Sequence, residues 1–105
     1  MTVAETPRAC ILGCQGRALG EGERAFFAKA DPLGFILFQR NCGDPGQVRR
    51  LVGALREAIG RADAPVLIDQ EGGRVARLGP PHWREAPPAA RFAALGARAP
   101  VRAVK

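Results

Sequence analysis

Three short apolar runs limit what this chain can fold into: "RACILGC" at residues 8–14, "LGFILFQRN" at 33–41 and "APVLIDQ" at 64–70. None of them alternates, so each reads as a buried strand of a parallel sheet rather than a half-wetted hairpin strand. The second and third turn polar only at their C-terminal ends. Between the first two lies "GEGERAFFAKADP", where Glu21 and Glu23 suit a helix start. Phe26, Phe27 and Ala30 are expected to face a core there, with Asp31-Pro32 as the stop. The next stretch predicts a helix with Asp44 as N-cap and Pro45 at the first helical position. Val48, Leu51, Val52, Leu55 and Ile59 form its apolar face, and Arg49, Arg50, Arg56 and Glu57 the opposite one.

Strand, helix, strand, helix, strand in this order predicts a parallel sheet with right-handed crossovers, an α/β fold. Residues 71–88 carry glycine and proline punctuation without periodicity, a connection long enough to suggest function. A further helical stretch opens in "PAARFAALGARAPVRAVK" and runs to Lys105. Three such units leave both sheet edges unpaired. A closed barrel needs roughly 250 residues, and an open doubly wound sheet about five strands. The 105 residues are therefore expected to be the beginning of a larger α/β domain.

The formal net charge of +6 comes almost wholly from arginine. The arginines are scattered, no aromatic residues are interleaved to stack bases, and no block of five basic residues occurs. Solvated helix faces explain them better than a nucleic-acid partner does. The alternative kept open is a small basic binding module for acidic partners. Of the three cysteines, Cys10 reads as a small core residue, and Cys14 and Cys42 as loop or shell thiols. With the "CILGC" spacing and one histidine, no metal centre is expected. No secretion signal opens the chain, and no apolar run reaches the roughly 18–20 residues of a membrane span. The expected location is the cytoplasm.

In a parallel α/β fold ligands bind beyond the carboxyl ends of the strands. The residues to weigh are then Gln39, Arg40 and Asn41, and Asp69, Gln70 and Glu71. A carboxylate at Asp69 can accept hydrogen bonds from ligand hydroxyls while a nearby arginine keeps it ionised. Gly72 and Gly73 remove side chains where backbone must bend or approach a ligand, and Arg74 and Arg77 return positive charge. From pattern alone a second reading stands level: a rim salt bridge among Asp69, Glu71, Arg40 and Arg74 that ties loops together. His82 reads as a structural or exposed loop residue, and Trp83 as an anchor for that loop. "GCQGRALGEG" lacks the Lys-Ser/Thr ending of a phosphate loop and is set aside.

The succession "LFQRN", "DPGQ", "DQEGGRVAR" and "PPAARFAALG" resembles the N-terminal part of the bacterial β-N-acetylhexosaminidases of glycoside hydrolase family 3. The order of these motifs is more specific than any one of them, and the resemblance runs over about residues 8–98. It implies that residues 1–105 are the N-terminal βαβαβ portion of a (β/α)8 TIM-like barrel, incomplete at the C-terminus. It implies a cytoplasmic retaining glycosidase that removes terminal N-acetylglucosamine from peptidoglycan fragments in cell-wall recycling. The substrate so implied is an N-acetylglucosaminyl saccharide or muropeptide, with no metal, no organic cofactor, no nucleic acid and no membrane. By the same resemblance Asp69 and Arg77 bind hydroxyls of the first sugar, supported by Glu71, Arg74 and Arg40. Another family 3 glycosidase, such as a β-glucosidase, would keep Asp69 too. The family's acid/base histidine, in a "KH-x-PGHG"-like stretch, and its aspartate nucleophile match nothing in this sequence; His82 is not that histidine. The segment alone is therefore expected to be inactive.

Overall fold

The computed structural model describes residues 6–99. The chain divides into two compact units between Ile68 and Asp69. The first holds β1 (Arg8–Leu12), α1 (Glu21–Ala30), β2 (Pro32–Leu37), a 3-10 turn (Gln39–Asn41), α2 (Pro45–Ile59) and β3 (Val66–Ile68). Its strands form one parallel sheet in the order β1-β2-β3, the βαβαβ succession expected from the sequence.

α2 forms where its sequence signals place it. Asp44 Oδ1 accepts the Gln47 amide at 2.9 Å, Pro45 takes the first position, and Gly60 closes the helix at φ 69°. Leu51 and Leu55 are buried on its apolar face. α1 ends at Asp31, which adopts φ 49° and returns its amide to the Phe27 carbonyl. Arg61 holds that corner, pairing with Asp31 at 2.5 Å and donating to the carbonyls of Pro32 and Leu33.

α1 also brings the first correction. Phe27 is 3% exposed and meets Phe35 of β2 edge to face, with ring centroids 5.0 Å apart, but Phe26 is 60% exposed. Neighbours on a helix point about 100° apart, and here the sheet takes Phe27 and leaves Phe26 to solvent. Burying such a side chain is worth about 1.5–3 kcal/mol, and Phe27 is the one that supplies it.

The second correction concerns the strands. Only the middle strand, β2, is buried, with Phe35 and Leu37 in the core; β1 is exposed to half-buried. β3 shrinks to three residues, and its Leu67 is 47% exposed. Register explains this: Phe35 pairs with Val66 and Leu37 with Ile68, whereas Ile36 pairs with Leu67 on the opposite face. A continuous apolar run marks a strand made to be covered on both faces, and here the outer strands each keep an open edge. The cysteines are reversed as well. Cys14 and Cys42 are buried and Cys10 is half-buried, because Cys10 lies on an outer strand.

The second unit contains β4 (Gln70–Gly72), β5 (Val75–Ala76) and α3 (Ala89–Arg98). β4 and β5 form an antiparallel hairpin that periodicity did not reveal, closed by Gly73-Arg74. Gly72 and Gly73 have φ of 91° and 61°, conformations that glycine adopts without strain. Residues 86–88 fold back against them: the Gly73 amide donates to the Ala86 carbonyl at 2.9 Å, and a Cβ on Gly72 would overlap the Pro87 carbonyl. The helical stretch expected up to Lys105 is present to Arg98, and residues 100–105 lie outside the described ones.

Candidate functional site

Beyond the carboxyl ends of β1 and β2, a polar network joins two loops of the first unit. The Asn41 side chain is fully buried and hydrogen-bonded through both its oxygen and its nitrogen. Its Nδ2 donates to the carbonyls of Cys14 at 3.1 Å and Gly16 at 2.7 Å, and its Oδ1 accepts the Phe38 amide at 2.8 Å. Gln47 extends the hold, donating to the carbonyls of Arg17 and Asn41 while its Oε1 accepts from the Gly43 amide at 2.6 Å. The glycine-rich segment set aside in the sequence is thus the acceptor side of a clamp, its bare carbonyls taking side-chain donors.

Arg40 belongs to this network. It donates to the Cys14 carbonyl through Nε and Nη2, and its guanidinium lies 4.9 Å from the Phe38 ring centroid. Burial pushes the Cys14 thiol up from the ordinary 9.0, with Glu23 adding to the rise and Arg40 opposing it. Burial likewise raises Cys42, against Arg17. Both are neutral packing thiols at neutral pH.

The second unit carries Asp69 and Arg77. Arg77 Nη2 lies 3.7 Å from Asp69 Oδ2, and both side chains are partly exposed. At that distance they attract as charges, but the separation exceeds the roughly 2.7–3.2 Å of a hydrogen bond, so their lone pairs and protons stay open to a third group. Arg77 Nε is buried and has no hydrogen-bond partner among the described residues. An unpaired buried donor costs about 1–3 kcal/mol.

Glu71 and Arg74 are exposed, on β4 and in the hairpin turn, and neither enters an ion pair among the described residues. Gln70, which the sequence placed at the strand end without a role, does hold Arg77. Its Oε1 accepts from the amides of Arg77 and Leu78, both at 3.0 Å, and its Nε2 donates to the Leu78 carbonyl at 2.8 Å. His82 is exposed and lies edge-on to half-buried Trp83, whose amide donates to Gly79. No group of three or more His, Cys, Asp or Glu side chains gathers to hold a metal among the described residues. No described helix is long and apolar enough to cross a membrane. Arg40, Arg56 and Arg61 are committed to carbonyls or a carboxylate, which weakens the basic-module reading.

No family model matches the chain. Curated relatives do. A protein named β-hexosaminidase from Xanthomonas oryzae pv. oryzae is 43% identical over 70 residues, covering 65% of this chain and 20% of that one. Its namesake from Pseudomonas aeruginosa is 43% identical over 68 residues, with 65% and 20% coverage. The one from Alkalilimnicola ehrlichii is 38% identical over 68 residues, with 65% and 19% coverage. The chain is similar to the N-terminal part of bacterial β-hexosaminidases. It spans about a fifth of the length of these β-hexosaminidase relatives. The mixed α/β fold with its parallel sheet is shared with NagZ from Neisseria gonorrhoeae. Native NagZ gives a TM-score of 0.73 at 26% identity, over 92% of this chain and 28% of that one. NagZ in complex with N-trifluoroacetyl-D-glucosamine gives 0.76 at 23% identity, over 91% and 28%.

Proposed function

We propose that this chain carries part of the sugar-binding rim of a β-N-acetylhexosaminidase of glycoside hydrolase family 3. The whole enzyme would release terminal N-acetylglucosamine from peptidoglycan fragments during cell-wall recycling, in the cytoplasm. Residues 1–105 are, in this reading, the N-terminal segment of its catalytic (β/α)8-like barrel. The consecutive parallel order β1-β2-β3 supports that, since a barrel adds its strands in sequence order.

The observation that carries the reading is the partly exposed Asp69–Arg77 pair, with its 3.7 Å gap. A sugar hydroxyl both donates and accepts. Between a carboxylate and a guanidinium it can give its proton to Asp69 and take one from Arg77, satisfying both with charge-assisted bonds. The N-acylglucosamine analogue held by the related NagZ is a ligand of that kind. Asp69 and Arg77 would bind and orient the non-reducing sugar, while Glu71 and Arg74 would shape the surrounding charge. Retaining hydrolysis needs two further groups about 5 Å apart across the scissile bond. This chain supplies neither, so its own part is recognition.

The test has two arms. Purified chain of correct mass is expected to show no turnover of a chromogenic N-acetylglucosaminide. Titration with N-acetylglucosamine, followed by NMR, is expected to shift Asp69 and Arg77, and Asp69→Asn should weaken binding about tenfold. Hydrolysis above background, or sugar binding indifferent to Asp69→Asn, would sink the assignment.

A further inference from the structure

We infer that Gln70 is the positioning residue of this sugar site, fixing where Arg77 presents its guanidinium; the inference rests on the function proposed above. Asp69 and Arg77 lie eight positions apart with an intervening hairpin, and β4–β5 pairing reaches only Gln70↔Ala76. Arg77 and Leu78 are past that ladder, in a bend with no regular partner strand. Their backbone is held instead by one side chain. Gln70 Oε1 takes both amides at 3.0 Å and Nε2 gives to the Leu78 carbonyl at 2.8 Å, so one carboxamide acts as the missing strand.

The chemistry requires an amide. A carboxylate at this position would accept from the two N–H groups but set a second oxygen against the Leu78 carbonyl. A thioether of the same length would do neither. With the backbone free, Arg77 can swing toward solvent or close on Asp69 in a direct hydrogen bond. Either movement removes the gap into which a hydroxyl would fit. The three hydrogen bonds of the Gln70 side chain all lie within the chain.

The experiment compares the wild-type chain with Gln70→Met and Gln70→Glu by NMR, observing the Arg77 Nε–H and the amides of Gly72, Val75 and Leu78, and titrating N-acetylglucosamine. Gln70→Met is expected to displace the Arg77 Nε–H and Leu78 resonances, leave the hairpin amides of Gly72 and Val75 in place, and weaken sugar binding about tenfold. Gln70→Glu, which keeps the acceptor half, should fall between the two. If the Arg77 Nε–H is unmoved in both variants, or if the hairpin amides collapse with it, the positioning role is wrong. If the wild-type chain takes no sugar while Gln70→Met still displaces the Arg77 Nε–H alone, the sugar reading fails and the placement of Arg77 by Gln70 stands.

Discussion

Asn41 donates its carboxamide to the Cys14 carbonyl at 3.1 Å, across 27 positions of sequence, from a site with no solvent exposure. A buried amide with its partners present stabilises little on balance, but removing it strands the groups that have no second partner; the Cys14 carbonyl keeps Arg40.

Asn41→Ala is therefore expected to cost about 1–3 kcal/mol, because the part-buried Gly16 carbonyl and Phe38 amide lose their partner. Urea denaturation should show a lower midpoint at unchanged slope. A loss below about 1 kcal/mol would contradict the clamp role given to Asn41.

The two phenylalanines of α1 separate burial from mere hydrophobicity. Phe27→Ala should cost about 3–5 kcal/mol. Phe26→Ala removes only an edge contact with its neighbour, at 5.6 Å between centroids, and should cost about 1 kcal/mol or less. Equal losses in thermal or chemical unfolding would contradict the packing described.

That pair also shows where the sequence was legible. Helical spacing identified a helix at α1 but not which of two adjacent aromatics the sheet would accept, since that depends on Phe35 across the sequence. α2 was readable to its boundaries because its cap, its proline and its apolar stripe are all local. The hairpin of β4 and β5 escaped because five or six residues contain too few repeats to show a period. Its signal was the Gly72-Gly73 dipeptide before Arg74-Val75. At the site, Asp69 and Arg77 stood out as charges. Gln70 and Asn41 did not, because a neutral amide reveals its role only when its distant carbonyl and amide partners are located.

Gly72→Ala tests the fold-back of residues 86–88. The new methyl would meet the Pro87 carbonyl at a backbone φ of 91°, so a loss of about 2 kcal/mol or more is expected in the second unit. Amide exchange at Gly73, which donates to Ala86, should accelerate. Gly16→Ala, with open space around its Cβ, is the control. Unchanged Gly73 protection would contradict the described approach.

The buried thiols set an alkaline limit. Burial raises Cys14 and Cys42 in the folded state, so above 9.0 the unfolded chain releases protons that the folded one retains. Their contribution is complete below 9.0 and is lost as pH climbs through the raised folded values. Stability measured from pH 8 to 10.5 should decline, and Cys14→Ala should decline less steeply. Identical slopes would show that Cys14 does not govern the effect.

The clamp around Asn41 has a consequence for anyone lengthening or transplanting these segments. Residues 14–17 and 38–47 are stitched by three side chains into one piece, so neither can accept an insertion or be grafted onto another scaffold independently of the other. Evolutionary drift and protein engineering alike must treat them as a single exchangeable cassette.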